Sequence, residues 1–241
     1  MQPYARNLGV ILDSQLNMEK HISNICRTAY AYIRNISRIR RFLSRSDTEK
    51  LMHAFITSRL DSCNSLLVGL PASTLKPLAR VQNCAARVVF RARKSEHITP
   101  ILKELHWLPV DYRIQFKVLL LTFKSLYGSA PKYLCDLISW YEPKRNLRSA
   151  SLFQLAETYV RGSKASFRGR AFQHCAPALW NRLPLHVRSC KTIVSFKSSL
   201  KTFLFNEAFY KVSFYFLFSF CFLCFHFLFC SLIYCFIFLL F

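Results

Sequence analysis

The chain has 241 residues and is strongly basic, with 34 Lys and Arg against 12 Asp and Glu and a formal charge of +22. Its hydrophobic fraction of 52% argues against a disordered chain, because it provides enough apolar surface to offset the entropy lost on folding. So large a positive excess repels itself unless phosphates or anionic lipids neutralise it. Nucleic acid is therefore favoured as the partner over a membrane surface or no anionic partner.

The cysteine pattern does not resemble a disulfide framework. Six of the ten cysteines are scattered singly through the basic part of the chain. The first seven residues form a short polar segment that does not have the pattern of a secretory signal. We expect free thiols in a reducing compartment, and therefore an intracellular protein of the nucleus or cytoplasm.

The first predicted element is a short strand over residues 5–12, ended by Asp13 and Ser14. A strand must pair with other strands, but few other segments of this chain have the pattern of a strand. Residues 1–16 are therefore interpreted as the end of a sheet whose other strands would lie upstream.

A long amphipathic helix is predicted over residues 17–43. Its apolar side chains recur every seven residues at Ile22, Ala29, Ile36 and Leu43. Basic side chains recur at the same interval nearly opposite that seam, at about 100° per residue. Together with Arg38 they form what we call the basic stripe, which consists of Lys20, Arg27, Arg34, Arg38 and Arg41. No acidic residue lies between Glu19 and Asp47 to neutralise them, which favours a phosphate-facing surface over an ordinary solvated face.

Further helices are predicted downstream of this one. Residues 46–49 have the pattern of a capping box that opens a second helix, and a third is predicted over residues 75–93. Three outward arginines of the third helix form what we call the second basic patch, which consists of Arg87, Arg91 and Arg93. Pro100, Pro109 and Pro131 are expected to start helices, of which the second would end at Gly128.

The rest of the basic part is less periodic between residues 142 and 170, where a hairpin near 150–170 is possible. Residues 172–180 and 192–209 again have helical patterns. The predicted fold class is mainly α, with a helical bundle over residues 17–95 and a second helical region over 96–211.

The last 30 residues, 212–241, contain no Lys, Arg, Asp or Glu. This run exceeds the roughly 20 apolar residues that span a bilayer, so it is a candidate transmembrane helix that would make the protein a tail-anchored membrane protein. Its Phe, Leu, Ser, Cys and Tyr are also the residues that thymine-rich codons encode, so it could instead be translated non-coding sequence. Both interpretations stay open.

The sequence offers no recognisable catalytic or cofactor-binding motif. Polymerases and nucleases hold Mg²⁺ with clustered carboxylates, whereas the acidic residues here are isolated and no Asp-Asp pair occurs. His174, Cys175, His186 and Cys190 could supply four zinc ligands, but their spacing matches no known zinc motif. Trp107 and Trp180 could stack on bases, although a role as core anchors is favoured. We therefore predict neither an enzyme nor a cofactor or metal.

Short motifs in a fixed order resemble a known family across residues 6–209. They are RNLGVILD at residues 6–13, VQNCAAR at 81–87, LHWLPV at 105–110, RIQFK at 113–117, APKYL at 130–134 and APALWNRLP at 176–184. In this order and spacing the chain resembles the C-terminal part of a reverse transcriptase from LINE-type, jockey-like non-LTR retrotransposons.

The resemblance implies a division of the chain. The first strand would complete the palm of the polymerase, the first helices would form its thumb, and the remainder would be the C-terminal region of the element. The aromatic-Ala-Asp-Asp motif that binds catalytic Mg²⁺ in that family would lie upstream. We therefore expect a truncated, non-catalytic remnant that binds RNA or DNA, since reverse-transcriptase thumbs lie against the template–primer duplex.

Overall fold

The structure is a computed structural model that describes residues 4–143, 153–158 and 167–210. The predicted tail helix at 212–241 and most of the predicted hairpin near 150–170 lie outside these residues. The described part is mainly helical, as the sequence predicts, and its sheet consists of two antiparallel strands. Among the described helices, none is both long enough and apolar enough to cross a membrane.

The N-terminal strand predicted over residues 5–12 is divided into two strands. Strand β1 (Tyr4–Asn7) pairs antiparallel with β2 (Val10–Asp13), with Asn7 opposite Val10 at the turn. Both turn residues have positive φ, 46° at Leu8 and 84° at Gly9. Two successive left-handed residues form the tight turn that suits a hairpin, so β1 and β2 partner each other.

The first half of the chain contains five helices and the turns between them. Helix α1 continues into a 3-10 turn at Arg40–Phe42, and a π-helical turn at His53–Thr57 joins α2 to α3. The helices are α1 (Glu19–Ile39), α2 (Arg45–Met52), α3 (Ser58–Asp61), α4 (Ala72–Phe90) and α5 (Ile98–Glu104).

The cap of α2 lies two residues before the predicted capping box at residues 46–49. The Ser44 hydroxyl accepts a hydrogen bond from the Asp47 amide at 3.0 Å and donates one to the Asp47 carboxylate at 2.7 Å. Ser44 has an extended backbone, as an N-cap requires, so the helix begins at Arg45.

Two of the three predicted helix starts are confirmed, since helices begin directly after Pro109 and Pro131, whereas Pro100 is the third residue of α5. Gly128 has φ 67°, and the Ser129 amide beyond it donates to the Lys124 carbonyl at 2.8 Å, which confirms the predicted helix end. The remaining helices are α6 (Val110–Leu126), α7 (Lys132–Cys135), α8 (Phe167–Arg170), α9 (Phe172–Trp180), α10 (Leu185–Arg188) and α11 (Ile193–Phe209).

The described residues of the predicted hairpin are 153–158 and 167–170; the latter form α8 rather than a strand, and residues 153–158 pair with an earlier segment. Leu155 forms an antiparallel bridge with Trp140. The side chain of Asn181, the residue that follows α9, accepts a hydrogen bond from the Leu155 amide and donates one to the Leu155 carbonyl. This segment is therefore fixed to the end of α9.

Two hydrophobic cores share α6. The first is formed mainly by α1, α2, α4 and α5, and it includes Val110 and Ile114 from the start of α6. The second contains Leu119 from further along α6 together with Trp180 of α9 and Phe196 of α11. Side chains of α5 and α6 therefore belong to the first core although they lie beyond residue 95, where the sequence places a boundary.

Arg113 attaches α6 to the first core. Its guanidinium donates to both carboxylate oxygens of Asp61, at 2.8 and 3.1 Å, and to the Leu108 carbonyl at 2.8 Å. The Gln82 amide donates to the same carbonyl at 2.7 Å. Because the Arg113 side chain is only 14% exposed, this paired charge is shielded from solvent and fixes α3, α4 and α6 relative to one another.

Candidate nucleic-acid interface

The position of the basic stripe is set by the opposite side of α1. The apolar seam is buried against α4, and Ile22, Ala29 and Ile36 are each at most 4% exposed. Side chains half a turn away must therefore point outward. All five residues of the stripe are exposed, which is the orientation that binding to a phosphate backbone requires.

The stripe forms one row along α1 and the 3-10 turn that follows it, where Arg41 lies. Lys20 and Arg41 are 21 residues apart, which corresponds to about 32 Å along a helix. Among the described residues, none of the ion pairs includes a member of the stripe. Within the part of the chain that the structure describes, its charge is therefore not neutralised by an ion pair.

Members of the stripe have weak local contacts. Arg27 donates to the Asn24 side chain at 3.1 Å, Lys20 lies 3.9 Å from the centre of the Tyr4 ring, and Arg41 lies 4.6 Å from that of Phe42. Such contacts restrict the side chains but leave the positive charge in place. Exposed cations of this kind can bind phosphates without first breaking a salt bridge.

The second basic patch is less open than the sequence suggests. Arg87 is half-buried, and its guanidinium donates to the Glu96 carbonyl at 3.1 Å. Arg91 and Arg93 are exposed beyond the end of α4, where the Arg93 amide donates to the Glu96 carboxylate at 2.7 Å. Arg91 and Arg93 are thus the better-placed residues of this patch, since Arg87 is partly engaged in the fold.

Arg40, which the sequence analysis did not single out, brings the two basic regions together. It donates to the Val88 carbonyl at 3.0 Å, to the Val89 carbonyl at 2.8 Å and to the Leu43 carbonyl at 2.7 Å. Arg91 in turn donates to the Arg40 carbonyl at 3.3 Å. Carbonyls in the last turn of a helix lack amide partners from a following turn, so the Arg40 guanidinium can donate hydrogen bonds to them. Its positive charge also interacts favourably with the negative end of the α4 dipole.

The electrostatic environment of Arg40 agrees with a structural role. Burial, and secondarily the nearby Arg91, lower the pKa of Arg40 from its ordinary value. A signal for this role was present in the sequence, because at 100° per residue Arg40 falls on the apolar side of α1, in line with Ile22. As a result the C-terminal ends of α1 and α4 meet, and Arg41 lies next to the second basic patch.

Neither tryptophan considered for base stacking is accessible. Trp107 is 3% exposed and Trp180 is 0% exposed. The Trp180 indole donates to the Phe153 carbonyl at 2.9 Å, and its ring stacks on Phe196 with centroids 5.6 Å apart. Both tryptophans therefore anchor the cores, which was the favoured interpretation of the sequence.

The four side chains weighed as zinc ligands have other contacts. The His174 ring is 2.6 Å from the Thr158 hydroxyl, and the Cys190 thiol donates to the His186 carbonyl at 3.5 Å. Burial raises the pKa of Cys175 to about 11, which keeps its thiol protonated and makes it a poor ligand. Within the described ranges, no group of three or more His, Cys, Asp or Glu residues is arranged to hold a metal ion.

Comparisons with models of known protein families, with curated proteins and with solved structures found no match to this chain.

Replacing Arg40 by Met tests how the two basic regions are joined. We expect the free energy of unfolding of the full-length chain to fall by about 2 kcal/mol, because carbonyls at the end of α4 lose charged donors. Arg41→Met is the matched control, because it removes the same charge from the next residue, whose side chain is exposed. We expect this change to alter the free energy of unfolding by no more than about 0.5 kcal/mol. Urea denaturation measures both, and equal losses would contradict the role of Arg40.

Proposed function

We propose that this chain binds RNA or DNA through the phosphate backbone, without sequence preference, and that the basic stripe carries the binding. The observation that carries this proposal is a row of five exposed cations, four on one face of α1 and Arg41 on the 3-10 turn that follows it, none of them in an ion pair within the described part. Arg91 and Arg93 extend the surface at the C-terminal end of the row.

The spacing of the row suits a nucleic-acid backbone. Lys20, Arg27, Arg34 and Arg41 recur every seven residues, or about 10.5 Å along the helix. Along a strand that runs parallel to the helix, with phosphates about 3.4 Å apart, successive cations of the stripe would meet about every third phosphate. Because long side chains tolerate variation in this distance, such contacts give affinity rather than recognition of base sequence.

We propose that this chain is the thumb and downstream region of a LINE-type reverse transcriptase. The ordered motifs between residues 6 and 209 support it, and so does a mainly helical fold that presents basic side chains on its first long helix. In this proposal α1 is the thumb helix that lies along the nucleic acid, and the chain contributes binding rather than chemistry.

Removing charge from the stripe should weaken the salt dependence of binding. We expect a variant with Gln at Arg27, Arg34, Arg38 and Arg41 to have a shallower slope of log Kobs against log salt concentration. The slope should change by up to about 0.9 for each duplex phosphate that the variant no longer neutralises, and about 0.7 for single strands, because fewer counterions are released. Titration of a fluorescent oligonucleotide at several salt concentrations measures this slope.

A control variant with the same net charge separates the stripe from charge in general. It carries Gln at four exposed lysines of other segments, which are Lys117, Lys132, Lys191 and Lys197. This variant should keep the slope of the unaltered chain. If the salt-dependence slope becomes shallower by the same amount in both variants, attraction by the total charge explains the binding and the stripe has no specific role.

The proposal also predicts that the chain does not extend a primer. Nucleotide addition needs carboxylates that hold Mg²⁺ together, and this sequence contains no Asp-Asp pair. A primer-extension assay with full-length chain, a primed RNA template, nucleotides and Mg²⁺ should therefore show no incorporation above a heat-denatured control. Incorporation that depends on the dose of purified chain would contradict the assignment.

A further inference from the structure

Exposed aromatic rings lie at both ends of the basic stripe. At the N-terminal end, Tyr4 is 44% exposed and lies beneath the ammonium group of Lys20. At the C-terminal end, Phe42 is 75% exposed and lies beside the guanidinium of Arg41. Tyr30, which lies on α1 between them, is 37% exposed. The stripe is therefore a surface on which cations and accessible rings occur together.

The exposure of Phe42 is the unusual feature of this surface. Burying a phenylalanine side chain is worth about 1.5–3 kcal/mol, so the fold has a reason to cover it. The chain instead places it on the 3-10 turn that follows α1, next to exposed cations. A ligand suited to this place must offer both negative charge and a flat apolar face.

We propose that this surface takes single-stranded nucleic acid, whose unpaired bases stack on Phe42 and Tyr4 while its phosphates meet the basic stripe. The inference rests on the proposed function and specifies its substrate class, which is a single strand in place of the duplex that a reverse-transcriptase thumb would contact. Bases of a duplex are stacked on each other and do not present their faces, whereas every unpaired base does. Basic grooves lined with aromatic rings are the general means by which proteins hold single strands.

The length of the stripe sets the length of the bound strand. The Lys20 and Arg41 positions are about 32 Å apart, and a stacked strand advances about 3.4 Å per nucleotide. At this spacing a strand that runs the length of the stripe has about ten nucleotides, which is within the range of about 4–16 nucleotides seen for single-strand binding sites. Much shorter strands contact fewer cations of the stripe.

The test uses full-length chain and three fluorescent probes: a 12-nucleotide oligothymidine, a 5-nucleotide oligothymidine and a 12-base-pair duplex. We expect the 12-nucleotide strand to bind more tightly than the other two at the same salt concentration. Phe42→Ala should weaken binding of that strand about tenfold, because one base no longer has a ring to stack on, and should change duplex binding less than twofold.

Three further variants distinguish stacking on Phe42 from general apolar contact and from the loss of an exposed ring elsewhere. Phe42→Trp should retain the affinity for the single strand, whereas Phe42→Leu should lose it as Phe42→Ala does, because leucine has no aromatic face. Tyr133, which is 69% exposed on α7, is the matched aromatic outside the stripe, and Tyr133→Ala should have no effect. Circular dichroism and thermal melting of each variant establish that it is folded.

The outcomes separate this inference from the proposed function. The single-strand inference is overturned if single strand and duplex bind with equal affinity, or if Phe42→Ala has no effect. The proposed backbone binding still holds in that case if the salt slope depends on the stripe. Full retention of affinity by Phe42→Leu likewise overturns stacking. Absence of binding to any probe removes both.

Discussion

The burial of the α1 seam against α4 is the constraint on which the rest of this structure depends. Apolar and basic residues of α1 recur at the same seven-residue interval on opposite sides of the helix, so burying Ile22, Ala29 and Ile36 forces the cations outward. Arg40 completes the contact, because its guanidinium satisfies carbonyls at the end of α4. One packing interaction therefore creates the first core and the charged surface together, and the function we propose uses what the core leaves exposed.

The features that sequence reasoning predicted are those that local periodicity determines. The mainly helical fold, the extent of the long helices and the outward orientation of the stripe follow from repeats of 3.6 residues and from prolines and glycines at helix ends. Gly128 illustrates this, since a glycine after an apolar repeat indicates a helix end without knowledge of the tertiary structure. The seam and the stripe needed only residues of one continuous segment, although Arg41 and Leu43 lie beyond the end of α1.

The features that escaped prediction depend on neighbours distant in the sequence or on a choice between similar local signals. Arg40 contacts Val88, 48 positions away, and Arg113 contacts Asp61, 52 positions away. The serine that caps α2 lies two residues before the predicted capping box, and the hairpin turn lies within a run that the sequence analysis assigned to one strand. The rings beside the stripe were missed because exposure, rather than residue type, distinguishes Phe42 from the buried tryptophans.

The most direct test of the account is to map which arginines of the full-length chain a bound oligonucleotide covers. An arginine-selective dicarbonyl reagent, followed by mass spectrometry of the peptides, reports the accessibility of each guanidinium with and without a saturating 12-nucleotide strand. The account predicts protection of Arg27, Arg34 and Arg38, with unchanged modification of the exposed Arg182 near the end of α9. The account would be contradicted if the bound strand left the modification of Arg27, Arg34 and Arg38 unchanged and protected other arginines instead.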